Sequence, residues 1–389
     1  MLLDAGVARA RLRLVDPHPQ LLACWERNAA RTGMTYLRSP GVHHIGLDPY
    51  ELFRFAGRQY SRHTPHFKGV RRRPSLALFQ AHARHVERQA GLSELHCQAR
   101  VEGVSGSRGG PFRVETDRGS LATRRLILAP GSGEGTPVPS WARGAEHSGL
   151  PVHALFGEAL PLEALVERAH RTGAPIGVVG GGISAGQFAL SLLGRGCPVT
   201  LLMRHPFRVE ELDADPGWVG PKELRAFHAV EDPAARRRMI QAARHRGSMP
   251  EEVVGRLRAA QGSEHFSLKE GAEVEGGRAA PGREGAWEVE VAGVPPVVVS
   301  SVVLATGVGC GRPPGEEWIG GFATELELPR APCGYPVPDA ALQWGEGLHL
   351  SGSLAELELG PVARNIVGAR MAGTRLGPVA RSLATRRAG

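Results

Sequence analysis

Apolar positions along the chain fall into two patterns, short runs typical of buried strands and spaced positions typical of helices. The runs predict strands at residues 12–15, 126–129 and 176–179. Residues 74–91 predict a helix, with one apolar face formed by Leu76, Phe79, His82, Ala83 and Val86. Short strands are predicted around residues 96–104 and 112–116, with a glycine-rich hairpin turn at 105–110 between them.

The second half of the chain follows the same alternation. A helix is predicted at 187–193, an Arg-rich helical insertion at 233–261, and a β-meander at 287–291 and 297–303. Residues 137–151 have the composition of a linker. Strand-like segments are expected from residue 321 onward, followed by a helix at about 361–375.

An internal repeat relates the two halves. Residues 192–204 resemble residues 2–16, since both contain a helix end, a glycine turn, a strand and a polar or charged residue at the tip of that strand. In the second copy a further strand, 176–179, begins 16 residues before Leu192, whereas only Met1 precedes Leu2. We therefore expect the first unit to lack its first strand and its glycine loop.

A dinucleotide-binding fingerprint follows strand 176–179 directly. The segment fits the G-x-G-x-x-A form, with a strand before it and a helix after it, which is the context that gives the motif its meaning. Its glycines allow a tight turn and a close approach of pyrophosphate, and its alanine allows close helix packing. The residues predicted to bind the dinucleotide are Gly180, Gly181, Gly182, Ile183, Ser184 and Ala185. The alternative is an ordinary glycine-rich turn.

The residue at the tip of the second strand predicts which dinucleotide binds. A carboxylate there suits the free ribose of NAD or FAD, whereas a cation suits the 2′-phosphate of NADPH. The second unit has Arg204 at this place, 24 residues after Gly180, which favours NADPH unless Arg204 simply points to solvent. The first unit has Asp16, which favours FAD unless the carboxylate only caps the turn before Pro17.

These features resemble flavoproteins with two dinucleotide-binding domains, in particular the FAD- and NADPH-dependent N-hydroxylating (lysine- or ornithine-type) monooxygenases. The resemblance rests on the fingerprint, on the strand and turn at residues 302–307, and on the tail at 348–352 and 359–365. It implies an α/β fold with two Rossmann-like, three-layer ββα domains of the glutathione-reductase type, the first of them N-terminally incomplete. The implied FAD domain spans 1–145 and resumes at 320–389, and the implied NADPH domain spans 150–310 and contains the insertion.

The resemblance also implies functions for residues outside the fingerprint. Ala305, Thr306 and Gly307 would mark the return from the NADPH domain to the FAD domain, and residues 129–131 an earlier crossing. The remaining residues expected to contact FAD are Val101, Gly352, Gly360 and Pro361. The last helix would direct its N-terminus at the flavin and stabilise a reduced, anionic ring through its dipole.

Histidines are frequent in the first 85 residues. His43 and His44 lie in the loop 39–44, where the resembling proteins approach the flavin ring, and they are candidate catalytic residues on the substrate side. His82 and His85 could share a helix face, but no carboxylate or cysteine nearby completes a metal site, so no metal is expected.

Composition excludes several other classes of protein. The net charge of +8 comes mainly from arginine, and because the runs 71–73 and 236–238 lack interleaved aromatic residues, solvated arginines are expected rather than a nucleic-acid site. No apolar run is long enough for a membrane span, and no signal peptide is recognisable. The five cysteines form no CxxC pair, which suggests buried thiols in a cytoplasmic protein.

The sequence thus predicts an oxidoreductase in which NADPH reduces a bound FAD, and oxygen or another acceptor reoxidises it. Its partner would be a small-molecule substrate, and its oligomeric state stays open. The alternative is a non-catalytic or degenerate member that binds NADPH without stable FAD.

Overall fold

The computed structural model describes residues 1–59, 66–131, 138–147, 149–307 and 312–385. His63 and Cys310 lie outside these residues. The α-helices are α1 (Ala23–Thr32), α2 (Glu51–Gln59), α3 (Leu76–Ala90), α4 (Ser140–His147), α5 (Leu162–Thr172), α6 (Ile183–Leu193), α7 (Pro221–His228), α8 (Pro233–Ala243), α9 (Glu251–Ala260), α10 (Glu316–Glu325), α11 (Glu356–Leu359), α12 (Ile366–Arg375) and α13 (Gly377–Thr385).

The strands are mostly short. They are β1 (Leu14–Asp16), β2 (Phe67–Lys68), β3 (Arg73–Pro74), β4 (His96–Gln98), β5 (Val101–Gly106), β6 (Phe112–Thr116), β7 (Gly119–Thr123), β8 (Leu126–Leu128), β9 (Val152–Ala154), β10 (Ile176–Val179), β11 (Val199–Met203), β12 (Arg208–Val209), β13 (Ser248–Met249), β14 (Phe266–Glu270), β15 (Val274–Ala279), β16 (Trp287–Val291), β17 (Val294–Val299), β18 (Ser301–Leu304), β19 (Gln343–Gly345) and β20 (Leu348–Leu350).

The second domain is a complete three-layer unit. Its five-stranded parallel sheet has the order β14-β11-β10-β18-β9. One face packs on α5, α6 and α9 through a core that includes Leu165, Phe188 and Val253. The other face packs on the antiparallel meander β15-β16-β17 and on α4. Apolar strands buried on both faces are typical of a parallel sheet covered on two sides.

The first domain repeats this order of elements with a divided sheet. Strand β1 pairs in parallel with β4, while β8 pairs in parallel with β20, which in turn pairs with β19. The meander β5-β6-β7 and helix α10 cover one face of the second group of strands. The fold is therefore α/β with two Rossmann-like domains, as predicted.

Helices α7 and α8 lie between the two domains. Their apolar residues Phe227 and Ile240 share a core with Tyr335, Leu357 and Val362, which belong to the returning segment of the first domain. Helix α9 instead packs with α6 in the core of the second domain. The helical insertion thus starts before residue 233, with α7. The last part of the predicted range 233–261 is α9, which belongs to the connection between strands β11 and β14 of the Rossmann sheet.

Several local predictions were wrong. Residues 137–151 were predicted as a linker, but they contain α4, whose Ala142 is fully buried against the meander. The predicted strand at 297–303 is divided at Ser300 between antiparallel β17 and parallel β18. Residue 321, expected to begin strand-like segments, lies inside α10.

The runs of arginine also differ from the expectation of a solvated surface. Arg237 is 4% exposed and Arg73 is 6% exposed, and both form ion pairs with glutamates from distant parts of the chain. Arg71, Arg72 and Arg238 are exposed, as the composition suggested. None of the helices in the described part of the chain combines the length and apolar character that a membrane span requires.

Candidate functional site

The predicted glycine fingerprint forms the turn between β10 and α6, at the carboxyl edge of the second sheet. Gly180 has φ of +152°, and a Cβ atom there would overlap the carbonyl oxygen of Ala305. Only glycine allows the turn to approach β18 so closely. Ala185 is fully buried against the turn, 3.3 Å from the position of that Cβ atom. The glycine and the alanine of the motif therefore have the packing functions that were predicted for them.

The turn presents backbone N–H groups at the start of α6. This helix begins at Ile183, four residues earlier than predicted, and its N-cap Gly182 provides no side-chain hydrogen bond. The first N–H groups of a helix have no partner within the helix, and together with the helix dipole they form a favourable place for an anion. Ser184 lies half-buried in this first turn and can add a hydroxyl group.

Arg204 follows the last residue of β11 and is exposed beside this turn. Its position is fixed by the neighbouring residues 205–207, because the N–H of Phe207 donates to Glu270 Oε1 at 3.1 Å. Glu270 ends the adjacent strand β14, so the loop after β11 that carries Arg204 is bonded to the end of β14. An exposed guanidinium in this place is suited to a phosphate on the adenosine ribose.

His205 lies across the glycine turn. A Cβ atom on Gly181 would come within 2.8 Å of its Cε1, and a Cβ atom on Gly247 would overlap its Nε2. The imidazole is thus between the fingerprint and the residues that precede β13. The spacing of the fingerprint gave no sign of Gly247, because it reaches the turn from the segment between α8 and β13, more than 60 residues further along the chain.

The return strand ends at the same edge. Ala305 is buried against Gly180, whereas Thr306 and Gly307 are exposed. Gly307 has φ of +97° and open space where a Cβ atom would be. These three residues therefore lie beside the fingerprint turn at the carboxyl edge of the second sheet.

Asp16 lies at the tip of β1 in the first domain, as predicted. Its Oδ1 accepts a hydrogen bond of 2.8 Å from the N–H of His18, which is the Asx turn typical of an aspartate before a bend. The carboxylate thus caps the turn. Val101 begins β5 and packs partly against the core of this domain.

Two glycine turns meet at the carboxyl ends of β8 and β20. Gly131 (φ +77°) and Gly352 (φ +62°) have open space around them, and the hydroxyl of Ser353 donates to the carbonyl oxygen of Gly131. Ligands of open α/β sheets bind outside the carboxyl ends of the strands, where bare backbone can approach them. Gly352 thus lies at this edge of the sheet, and its contact with FAD stays a prediction.

The predicted helix at 361–375 is shorter than expected. Pro361–Arg364 forms a single 3-10 turn, α12 begins at Ile366, and a further helix, α13, follows it. Gly360, with φ of +75°, lies against the indole of Trp218 from the inserted segment. The turn at 360–361 consequently lies at the contact between the first domain and the insertion.

His43 and His44 have different environments. His44 is fully buried, its Nε2 donates to the carbonyl oxygen of Pro49 at 3.1 Å, and its Nδ1 accepts from the N–H of Gly46 at 3.1 Å. Burial lowers the pKa of His44 below its usual value. Both ring nitrogens are thus occupied by backbone, and the neutral ring shapes the loop.

His43 is half-buried at a junction of three segments. Burial lowers the pKa of His43, and the charge of Arg370 lowers it further, while Asp213 acts in the opposite direction. Arg370 on α12 donates to the carbonyl oxygens of Gly46 and Leu47 at 2.9 Å each, and Asp213 Oδ1 accepts from Asn365 at 3.1 Å. These bonds dock the loop of His43 on the start of α12.

A buried group of charges joins α8 to the returning segment, and the sequence did not reveal it. Glu356 is fully buried and forms ion pairs with Arg237, with Arg244 (2.8 Å) and with Arg364 (3.0 Å). Arg364 Nη2 also donates to the hydroxyl of Tyr335 at 2.7 Å. This group, which we call the Glu356 cluster, fixes the insertion over the turn at 360–361.

No His, Cys, Asp and Glu group of three or more in the described part of the chain could hold a metal ion. Cys24, Cys97, Cys197 and Cys333 are free thiols. Burial raises the pKa of Cys197 to about 11, which makes this thiol unreactive at neutral pH.

The fold is similar to that of solved flavoproteins with two dinucleotide-binding domains. Ornithine hydroxylase PvdA from Pseudomonas aeruginosa superposes with a TM-score of 0.70 at 16% identity, over 98% of this chain and 95% of that one. The Kutzneria ornithine N-hydroxylase KtzI, in its complex with reduced FAD, NADP⁺ and L-ornithine, gives 0.68 at 15% identity, over 99% and 97%.

A bacillithiol disulfide reductase from Bacillus cereus gives a lower TM-score of 0.53 at 17% identity, over 99% of this chain and 96% of that one. At these identities the likeness establishes the fold. No protein-family model and no curated protein sequence matches the chain.

Proposed function

We propose that the chain is an NADPH-dependent flavin oxidoreductase whose architecture fits an N-hydroxylating monooxygenase better than a disulfide reductase. The observation that carries the proposal is the turn 180–185 with an exposed Arg204 at the tip of the neighbouring strand. The higher TM-scores with ornithine hydroxylases support the monooxygenase class. The four cysteines of the described residues are single thiols, so they provide no redox-active disulfide.

The chain's own residues would bind and orient NADPH. The N–H groups at the start of α6 and the hydroxyl of Ser184 would hold the pyrophosphate, and Arg204 would pair with the 2′-phosphate. His205 would close the turn from the other side, where it separates the phosphates from Gly247. The exposed Thr306 and Gly307 would leave room for the nicotinamide half to run toward the first domain.

The residues of the first domain fit part of an FAD molecule. Asp16 and Val101 would contact the adenosine, and the turns at Gly131, Gly352 and Pro361 would contact the ribityl chain and the ring. Bound flavin would supply the electron transfer between NADPH and an acceptor. His43 would lie on the substrate side of the ring, where its depressed pKa keeps the imidazole neutral and able to accept a proton.

The first test measures cofactor preference. We expect Arg204→Ser to weaken NADPH binding about 10- to 100-fold and to leave NADH binding nearly unchanged, because the lost contact is to the 2′-phosphate alone. Arg195→Ser, which removes an exposed arginine of the same domain paired with Glu163, is the control. Equal binding of NADPH and NADH by the unaltered chain would contradict the assignment of Arg204.

The second test decides between an oxidoreductase and a protein that binds NADPH without flavin. Purified protein supplied with FAD should turn yellow, and NADPH should bleach the flavin absorbance under anaerobic conditions. Protein that binds NADPH but stays colourless with FAD would favour the non-catalytic alternative. The rate at which oxygen restores the absorbance, with and without diamines or basic amino acids, would then separate a monooxygenase from an oxidase.

A further inference from the structure

A small cavity, which we call the Arg125 cavity, lies between α13 and the strands β8, β19 and β20 of the first domain. Its volume is about 270 Å³, which gives room for one small ligand with a few water molecules. Its walls include Arg125, Gln343, His349, Val379, Ser382 and Leu383. Arg125 precedes the first residue of β8, whereas Gly131 follows the other end of this strand, about 10 Å further along. The cavity is therefore separate from the glycine turns that are expected to contact FAD.

His349 is the middle residue of β20 and forms the inner wall of the cavity. Its neighbours Leu348 and Leu350 pack into the core of the first domain, so the alternation of side chains along a strand directs the imidazole to the other face. The residue is 2% exposed, yet its Nε2 has no hydrogen-bond partner among the described residues. A buried polar atom without a partner is rare and unfavourable, so Nε2 indicates a ligand group in the cavity.

The second ring nitrogen determines what kind of group Nε2 needs. The ring forms a hydrogen bond with the backbone of Gly347, and Nδ1 makes it, since Nε2 has no partner. A carbonyl oxygen only accepts, so Nδ1 carries the proton and Nε2 of the neutral ring is an acceptor. Burial and the charge of Arg125 lower the pKa of His349, although Asp339 acts in the opposite direction. The neutral ring thus requires a ligand with a hydrogen-bond donor.

Arg125 provides a cation beside this acceptor. Its side chain is half-buried and forms no ion pair with a carboxylate of the described residues. Gly347 has φ of +79°, and a Cβ atom there would come within 3.3 Å of Arg125 Nη1. The bare backbone of Gly347 therefore lets the guanidinium lie next to the residue that bonds His349. A guanidinium in this state favours an oxyanion, because two oxygens of such a group can accept from it at once.

The other charged groups around the cavity leave it open to an anion. Asp339 Oδ1 accepts from the N–H of Gln343 at 2.8 Å, so this carboxylate caps its own turn. Arg11 Nη1 donates to the carbonyl oxygen of Leu383 at 3.0 Å and holds the end of α13 over the cavity. Arg381 on the same helix is exposed. Positive charge therefore predominates among these groups.

We propose that the Arg125 cavity binds a phosphate group that carries one proton, either free or at the end of a small phosphomonoester. Its oxygens accept from Arg125, and its O–H donates to His349 Nε2. A carboxylic acid would satisfy only Arg125, because it has lost its proton at neutral pH. A phosphomonoester, with a second pKa of about 6, keeps a proton for Nε2 near that pH, and inorganic phosphate keeps one throughout the neutral range.

The first test titrates the full chain with inorganic phosphate in a calorimeter, in chloride buffer at constant ionic strength. Arg125→Gln should weaken binding about 10- to 100-fold, because the charged donor is lost. Arg124→Gln removes the same charge from the exposed neighbouring residue and should change the affinity less than about twofold. Binding should persist in Arg204→Ser, which distinguishes the cavity from the fingerprint turn of the proposed function.

The second test uses pH and butyl phosphate. The affinity of this ester should fall about 10-fold or more between pH 6 and pH 8, since it loses the proton that Nε2 accepts, whereas inorganic phosphate should be affected less. His349→Leu should abolish the difference between the two ligands. Tighter binding of butyl phosphate than of inorganic phosphate at pH 6 would identify a monoester as the ligand, with its apolar part against Val379 and Leu383. The reverse order would identify free phosphate.

Three results would overturn the proposal. One is the lack of saturable phosphate binding by the unaltered chain, and another is an equal loss of affinity in Arg125→Gln and Arg124→Gln. The third is an affinity of butyl phosphate that does not change with pH, which would contradict the hydrogen bond to His349. The calorimetric titrations need neither FAD nor NADPH, so they give a result whether or not the proposed function is correct.

Discussion

At the scale of single residues, burial decides which histidines can carry charge. His82 is fully buried, and its Nε2 lies 3.2 Å from Glu51 Oε1, while the ring of His44 packs edge-on against it with centroids 4.9 Å apart. Burial, together with the proximity of His44, lowers the pKa of His82 to about 4, although Glu51 acts in the opposite direction. This histidine therefore stays neutral in the folded protein over the physiological range.

This pKa gives stability a defined dependence on pH. In the unfolded chain the pKa of His82 returns to about 6.5, so between about pH 6.5 and pH 4 the unfolded state binds more protons. Stability is full above pH 6.5 and is lost as the pH falls toward 4. We expect the free energy of unfolding to be lower at pH 5 than at pH 7.5 by about 1 to 2 kcal/mol from this group.

Denaturant titration at several pH values measures the slope of the free energy of unfolding against pH. His82→Gln should reduce the slope between pH 5 and pH 7.5, whatever its effect on stability at pH 7.5. His265→Gln, at an exposed position on the second domain, is the matched control and should retain the slope. An unchanged slope in His82→Gln would show that other groups cause the acid sensitivity.

At the scale of elements, the Glu356 cluster connects α8 to α11 and to the turn that ends at Arg364. Three arginines converge on one fully buried carboxylate, so the charges depend on each other for their stability in the interior. Removing one partner of a buried pair leaves charge without compensation, which is strongly destabilising. Glu356→Gln should therefore cost about 3 to 5 kcal/mol of stability.

Chemical denaturation of the variant tests this value. Glu325→Gln, on the exposed side of α10, provides the control and should change stability by less than about 0.5 kcal/mol. The turn at 360–361 should become more mobile in Glu356→Gln, which amide exchange in residues 356–367 would show. A loss of stability no larger than that of the control would contradict the importance of the cluster.

The sequence predicted elements where local pattern was sufficient. Strand β10 and the glycine turn follow from an apolar run and from glycines whose spacing has one common structural use. The repeat also identified β1 and its tip residue Asp16. The pattern of residues 137–151 predicts a linker and misses α4, because the eight residues of this helix lie among prolines and glycines and are helical through packing on the meander.

The Glu356 cluster shows why the rest of the site could not be predicted. Arg237 and Glu356 are 119 positions apart, and a charged run on a predicted helix has the same pattern whether it is solvated or buried. The contact of Gly247 with His205 is likewise non-local. Contacts of this kind can be identified only from the folded structure, in which distant segments of the chain come together.

At the scale of the whole molecule, arginines of the first domain bind the second domain. Arg38 donates to the carbonyl oxygens of Glu210 and Leu212 at 2.7 Å each, and Arg31 donates to that of Glu158 at 2.9 Å. Arg73 pairs with Glu252 on α9, which also pairs with Lys68 at 3.3 Å. Carbonyl acceptors presented by loops make this interface specific for one orientation of the domains.

These contacts should make the two domains unfold together. A hydrogen bond from a charged donor contributes about 1.5 to 3 kcal/mol, so three such arginines supply enough coupling to merge two transitions into one. We expect the unaltered chain to show a single calorimetric transition. A triple variant with Ala at positions 31, 38 and 73 should show two transitions, because an interdomain interface without its anchors permits independent motion and unfolding.

The matched control replaces Arg113, Arg195 and Arg278 by Ala. Each of these arginines forms an ion pair on the surface with a glutamate of its own domain. This variant should keep the single transition, because exposed pairs contribute about 0 to 1 kcal/mol. Retention of one transition in the first triple variant would show that close packing between the domains, such as that of Gly33 against Ser191, is sufficient to couple them. Orientation of the domains matters for the proposed function, because NADPH at the fingerprint turn would have to reach flavin at the glycine turns of the first domain.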